Sequence, residues 1–421
     1  VESSVVMYLQ KVARRSVHFV QRQTQGFKLM LWRRTLHGLA TGLSMQYNSI
    51  YAMRLGADLV QLGSLQSVGN AVGALAALTA GWFIDYHSLK SVFLLGTALL
   101  TASRVLYLVA PHWAWLFAAI ILYYLGMRIT CTSCTVTCAT ELPNEDRATG
   151  RGFCRTVASP VAIVTPLLAA WLISRFGGIS VAGIRPLYAI QTVIFVGIFV
   201  LLMSQLSDDR VHPTPGDGDS ILSGFVAVLR QGPDVLRLMC VVALMELPWT
   251  LTQPFVPVYA HEAKGANEFV LGGIAVASTL VPMLVSIPLG RLADRHGRKK
   301  LLFVIAPLAY AANLCLVLAP PSGVGASLLL LYGVLFGFNS ISMGLVSSMA
   351  AEVMPQAQMG RWIGIISLFR SLLGIPAPIV GGLIWEHIGP EQVFFAAIGI
   401  DLFLRLPLLA LTRETLHLSR E

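Results

Sequence analysis

Apolar residues in this chain gather into long runs, and polar residues gather between them. A run of about 20 apolar residues is the length of helix that crosses a bilayer core of about 30 Å. The pattern predicts twelve such stretches, at residues 35–55, 59–84, 91–110, 113–139, 156–176, 186–205, 237–260, 269–290, 301–319, 325–350, 362–385 and 392–411. They are called spans 1 to 12 below. The joins are short except for Ser207–Pro233, where Asp208, Asp209, Pro213, Pro215, Gly216, Asp217, Gly218 and Asp219 break the hydrophobicity. That break divides the chain into six spans plus six. The expected organisation is a cytoplasmic N-terminal segment (1–34), a six-helix bundle (35–206), a cytoplasmic linker (207–236), a second bundle (237–412) and a cytoplasmic tail (413–421). In the first segment, Val5, Tyr8, Leu9, Val12, Phe19 and Val20 recur at helical spacing opposite Lys11, Arg14, Arg15 and Arg22. This pattern predicts an interfacial helix held by anionic lipid.

Composition removes the soluble alternatives. Of 421 residues, 55% are hydrophobic and 12% charged, whereas a soluble domain is about a quarter charged. The net charge of +9 would suit nucleic acid if the basic residues formed one patch, but they follow the membrane instead. With the N-terminus inside, most of the 30 Lys and Arg fall in cytoplasmic segments. Arg54, Arg175, Arg185 and Lys264 lie outside, and Arg104, Arg128, Arg370 and Arg405 lie within spans. The positive-inside rule then puts both termini in the cytoplasm, and the plasma (inner) membrane is the expected location. Cysteines 131, 134, 138, 154, 240 and 315 fall in or beside apolar stretches, which is not an extracellular disulfide framework. The first residues lack an apolar run ending in a cleavage site, so no cleavable leader is expected.

The two halves repeat one another. Gly81-Trp-Phe-Ile-Asp85 recurs as Gly290-Arg-Leu-Ala-Asp294. Glu141 with Pro143 and Gly150 recurs as Glu352 with Pro355 and Gly360. Thr165-Pro-Leu-Leu-Ala-Ala170 recurs as Ala377-Pro-Ile-Val-Gly-Gly382, and Gly126 recurs as Gly337. The matches keep their order and nearly one offset. An even number of helices per repeat makes the repeats parallel, related by an axis along the membrane normal.

The fullest local motif is Gly290-Arg-Leu-Ala-Asp294-Arg295-His-Gly-Arg298-Lys-Lys300, between spans 8 and 9. Here the chain resembles the major facilitator superfamily of secondary transporters. That family carries a Gly-x-Leu-Ala-Asp-Arg-x-Gly-Arg-Lys loop between spans 2 and 3, often echoed between spans 8 and 9. The first copy here keeps Gly81 and Asp85, but Tyr86, Ser88 and Leu89 replace the expected Arg, Gly and Arg. The resemblance covers about residues 35–412. It implies an all-α membrane fold of two pseudo-symmetric six-helix bundles that rock about a site near the midplane. It also implies a gate in which Gly81, Asp85, Gly290, Asp294, Arg295 and Arg298 latch the cytoplasmic side shut. Ala377-Pro-Ile-Val-Gly-Gly382 is similar to a span-5 motif of the family's antiporters, which favours efflux; tight helix packing is the other reading.

Ionisable residues inside a bilayer are costly and line aqueous paths. Arg128 in span 4 and Arg370 in span 11 are two guanidiniums suited to a carboxylate or other anionic group. Asn339 is the repeat partner of Arg128 and is expected to face it across the axis. Glu246 in span 7 is the candidate for proton coupling, since a carboxylate in a low dielectric holds its proton more tightly. The alternative for Glu246 is an ion pair with Arg370 or Arg128. His37, Thr41, Ser44, Asn48 and Tyr51 lie on one face of span 1, a polar stripe expected to face the water-filled centre, with His37 near the cytoplasmic end expected at the interface. Gln66 and Asn70 in span 2 and Gln253 in span 7 complete the candidate substrate contacts. Asp401 and Arg405, four apart in span 12, are expected to pair, and Arg104 to snorkel outward. Cys131, Cys134 and Cys138 share a face of span 4, and a soft-metal path is the alternative to packing.

These residues predict a monomeric secondary active transporter of a small organic solute, anionic or drug-like, driven by protons, with lipid around it. No phosphate-binding loop, catalytic constellation, metal site or cofactor motif is seen, so an enzyme is not expected. A translocator of lipid-like amphiphiles is the alternative function on the same fold; a metal-ion transporter ranks below it.

Overall fold

The computed structural model describes residues 22–141, 147–206, 233–321, 324–353, 359–412 and 414. Side chains at 77–86, 132, 134–158, 233, 234, 350, 351, 353, 359–364 and 367 lie outside that description, as do the other residues. The expected interfacial helix before residue 22, the 207–232 part of the linker, and the side chains of Asp85, Cys134 and Cys138 therefore fall beyond it.

The described residues are helical across all twelve predicted stretches. Among the described residues, eight helices are long and apolar enough to cross a membrane, and two shorter apolar ones run from Trp115 to Cys131 and Ser159 to Arg175. Polar caps set where several begin. Asp58 accepts from the Gln61 amide at 2.6 Å, and the Gln61 side chain accepts from the Asp58 amide at 3.0 Å. This reciprocal pair satisfies two orphan donors of span 2, Leu59–Tyr86. Asn267 caps span 8, Glu268–His296, by accepting from the Val270 amide at 2.9 Å. Ser88 and Ser180 do the same for spans 3 and 6.

Several spans depart from a single straight helix. Span 1 starts at Gln25, not 35, after a Thr24 cap, runs to Ser44, and resumes as Asn48–Arg54. Residues 25–34 are thus its first turns, with Phe27, Leu29, Met30 and Leu31 buried. Span 10 is Gly325–Gly337 followed by Asn339–Val353. Span 11 is Met359–Gly374 followed by Ala377–His387. The span-11 break has a cause in Pro378. Proline has no N–H, so the Gly374 carbonyl four residues earlier loses its helical donor. It accepts instead from the Asn70 side-chain amide of span 2 at 2.9 Å.

Packing repeats with the sequence. In the first half, span 3 packs on spans 4 and 6, span 2 on span 4, and span 1 on spans 5 and 6. In the second half, span 9 packs on spans 10 and 12, span 8 on span 10, and span 7 on spans 11 and 12. Between halves, span 2 meets span 11 and span 5 meets span 8. The repeat maps one of these two interfaces onto the other, as a pseudo-two-fold requires.

Both interfaces use one device. Gly63 of span 2 lies so close to the Pro378 carbonyl of span 11 that a Cβ there would overlap it. A Cβ on Gly272 of span 8 would lie 2.9 Å from the Pro166 carbonyl of span 5. Gly382 faces the Leu59 carbonyl of span 2, and Gly381 the Leu251 carbonyl of span 7. Small residues let helix backbones approach this way in a bilayer.

These contacts lie toward the end bearing the loops after spans 1, 7 and 11, called the far end. Arg54 pairs there with Glu262 at 3.0 Å, and Tyr47 donates to the Glu268 carbonyl at 3.1 Å. At the near end, the motif residues bond within their own half. Arg298 pairs with Glu352 at 2.9 Å and with Asp294 at 3.6 Å. The Asp294 side chain is 65% exposed, Arg295 is exposed, and a Cβ on Gly290 would meet nothing within 4 Å. Among the described residues, the ion pairs of this loop stay within the second half, while the far-end contacts cross between halves.

Gly63→Val is expected to open the far end, because its branch would displace a backbone carbonyl rather than a flexible side chain. In a cysteine-free background carrying Asn48→Cys, far-side labelling by an impermeant thiol reagent should then speed up about tenfold, as for a shift of about 1.4 kcal/mol. Equal labelling rates with and without Gly63→Val would refute the closure role.

Candidate functional site

Two cavities sit between the halves, one above the other. The deeper, toward the far end, holds about 180 Å³ between spans 1, 2, 3, 4 and 7. Thr41, Ser44 and Asn48 of span 1, Gln66 of span 2 and Gln253 of span 7 line it, with Arg104, Tyr107, Tyr123 and Tyr124. The second holds about 210 Å³ and is lined by Asn70, Tyr124, Arg128, Glu246, Thr250, Arg370, Ser371 and Gly374.

Tyr124 borders both cavities. Gln66 donates to the Tyr124 hydroxyl at 2.5 Å and reaches the Asn70 carbonyl oxygen at 3.4 Å. Asn70 in turn donates to Gly374. This polar chain forms the partition between the two spaces and crosses from the first half to the second.

The charges concentrate in the 210 Å³ cavity. The Arg370 Nε donates to Glu246 Oε2 at 2.9 Å, and the Nη2 reaches the same oxygen. Their side chains are 32% and 20% exposed, so cavity water screens the pair only in part. The ion-pair reading of Glu246 is therefore the observed one. Arg128 enters beside them, and Gly73 of span 2 makes room, since a Cβ there would lie 3.4 Å from the Arg128 Nε. Thr250 turns its hydroxyl back to the Glu246 carbonyl at 2.9 Å.

Several expected site residues lie elsewhere. Asn339 does not face Arg128. It lines a separate cavity of about 40 Å³ inside the second half, with Asp401, Arg405 and Tyr310. The break in span 10 begins the second segment at Asn339 and leaves it among spans 7, 9 and 12. Tyr51 is fully buried, donates to the Tyr107 carbonyl at 2.8 Å and accepts from the Arg185 Nε at 3.3 Å. It braces spans 1, 3 and 6 rather than lining the centre. His37 is buried with its ring edge-on to Phe195 of span 6. The polar face of span 1 is thus split between packing and cavity. Asp401 and Arg405 do pair, with Arg405 Nη2 to Asp401 Oδ2 at 2.7 Å, on a π turn whose Asp401 also accepts from Tyr310.

Arg104 overturns its expectation. It is 2% exposed and turned inward. Its guanidinium carbon lies 4.5 Å from the Tyr123 ring centroid and 5.4 Å from that of Tyr107. The missed signal is spacing: Thr97, Leu100, Arg104 and Tyr107 share one buried face of span 3, Leu89–Val109.

The sequence profile of the Major Facilitator Superfamily matches residues 34–265 and 238–419. The chain belongs to the major facilitator superfamily. It is 24% identical over 393 residues to the multidrug resistance protein MdtG of Dickeya zeae (strain Ech586), covering 88% of this chain and 92% of that one. It is 27% identical over 377 residues to the vesicular acetylcholine transporter of Homo sapiens, covering 86% and 67%. A crystal structure of the nucleoside transporter NupG superposes with a TM-score of 0.76 at 15% identity, covering 92% of this chain and 99% of that one. The peptide transporter POT in complex with sulfate superposes at 0.71 and 13% identity, covering 94% and 95%. Those two likenesses share the superfamily fold. The chain is accordingly a multi-pass integral membrane protein and a secondary transporter, not an enzyme.

In this superfamily member the Glu246–Arg370 pair ties span 7 to span 11 within one half. Glu246→Gln and Arg370→Gln are each expected to lower thermal stability, and the double variant to cost less than their sum. The coupling energy should be about 1–2 kcal/mol, read from unfolding of purified protein. Additive costs would show that the two side chains do not interact.

Proposed function

We propose that this transporter moves a small organic solute by alternating access, with Glu246 as its proton-coupling group and Arg128 and Arg370 facing the solute. The observation that carries this reading is the Glu246–Arg370 pair, set in a cavity between the halves with Arg128 in the same wall. The pair opens in two ways. A proton on Glu246 neutralises the carboxylate and releases the guanidinium. An anionic group on Arg370 leaves the carboxylate without its cation, which raises its affinity for a proton. Each event favours the other, as linkage requires. Proton and anion then load together.

The pair also has mechanical leverage. It holds the first segment of span 11 to span 7, and one turn further along, Gly374 bonds to Asn70 in the other half. A change at Glu246 is thereby passed to the contact between halves. With both termini in the cytoplasm, as the basic residues favour, the far end is extracellular and this conformer faces inward. Relatives named for multidrug resistance and for acetylcholine transport support an organic solute; because proton and solute load together on this pair, an inward proton gradient drives uptake, not the efflux that the multidrug name suggests.

The test is flux in proteoliposomes of labelled benzenesulfonate and of ethidium under an imposed pH gradient. One pH unit is worth about 1.4 kcal/mol per proton, so it should shift accumulation by the parent up to about tenfold. Glu246→Gln should retain exchange without a gradient and lose that response. Flux that ignores the gradient in the parent, or a response by the variant equal to the parent's, would refute coupling at Glu246.

A further inference from the structure

We infer that the 180 Å³ cavity at Arg104 is a binding subsite for the carboxylate end of a compact aromatic anion. It rests on the reading of the chain as an organic-solute carrier and names a chemical class that this carrier accepts. The starting point is an uncompensated cation. Arg104 is 2% exposed, and its Nε and Nη1 find no hydrogen-bond partner among the described residues. Among the described residues it is the one charged residue lining the cavity. Burying a guanidinium without a counter-charge is costly. Stacking on Tyr123 and Tyr107 offsets part of that cost, yet rings accept none of its N–H bonds. Ser44 also lines the cavity, and its buried hydroxyl likewise finds no partner among the described residues.

The unmet donors call for an acceptor with negative charge, and a carboxylate matches the guanidinium fork. The rest of the wall selects its body. Tyr107, Tyr123 and Tyr124 give aromatic faces and edges, while Asn48, Gln66 and Gln253 supply neutral hydrogen bonds at the rim. The volume sets the size: an apolar cavity of about 150 Å³ holds benzene, so 180 Å³ fits a single-ring carboxylate. The partition formed by Gln66, Tyr124 and Asn70 separates this subsite from the Glu246–Arg370 pair.

Benzoate is the probe, with benzamide as its neutral analogue and chloride as the small-anion control. Binding to purified full-length protein is read by calorimetry at equilibrium, without a membrane gradient. Failure of proton coupling at Glu246 therefore leaves this result standing, and the converse also holds. The parent should bind benzoate at least about tenfold more tightly than benzamide, the worth of one charge-assisted contact. Arg104→Met should reduce that preference below about twofold. Unliganded Arg104→Met should also melt no lower than the parent, because it removes an unsatisfied buried charge. Ser44→Leu, which fills the cavity without altering the charge, is the second variant and should weaken benzoate by at least about tenfold. The proposal is overturned if the parent does not distinguish benzoate from benzamide or if chloride displaces benzoate at equal concentration. It is also overturned if Ser44→Leu, or a folded Arg104→Met, binds benzoate as the parent does.

Discussion

Two proline carbonyls resting on two glycines hold the halves of this transporter together. Pro378 meets Gly63 and Pro166 meets Gly272, and the repeat maps one contact onto the other. In a bilayer, lipid tails are as apolar as leucine, so burying apolar side chains gains little between helices. Close backbone approach is what remains, and it needs glycine where the backbones meet. The two contacts place the axis, bring span 2 beside span 11 and span 5 beside span 8, and leave the cavities between them.

The interior is asymmetric inside this symmetric frame. The first half contributes Arg104, Arg128 and the tyrosines; the second contributes Glu246 and Arg370. The repeat would place Asn339 opposite Arg128, but span 10 breaks before Asn339, and the asparagine serves a cavity inside its own half. Symmetry governs the contacts that hold the halves. The charges obey it less: Arg104 and Arg128 belong to the first half, Glu246 and Arg370 to the second.

The architecture was legible in the sequence because a bilayer imposes it. Span length and apolar clumping answer to the thickness of the hydrocarbon, and the repeats show as ordered matches. The candidate site was legible only in part. Glu246, Arg370 and Arg128 stood out as charges in apolar runs, and all three line one cavity. Which partner Glu246 takes depends on how spans 7 and 11 face each other, which periodicity on one helix does not state. Arg104 was misread because an arginine toward the end of a span has two outlets, water or aromatic rings. The choice rests on Tyr123, a residue of another span. Tyr51 lies one turn from Asn48 on the same short segment, yet Asn48 lines the cavity while Tyr51 bonds to Tyr107 and Arg185 of spans 3 and 6. Gly63 and Gly272 went unnoticed since a lone glycine in a span looks the same whether or not a carbonyl sits against it.

The carbonyl of Gly374 carries a consequence for hydration. Its helical donor is missing by covalent structure, because Pro378 has no N–H to give. Among the described residues, Asn70 of the opposite half fills the gap. Any state that parts span 2 from span 11 must supply this oxygen with another donor, and at that depth in a bilayer the ready one is water. Separation of spans 2 and 11 is therefore tied to hydration of this one oxygen, a solvent requirement written into the chain by one imino acid.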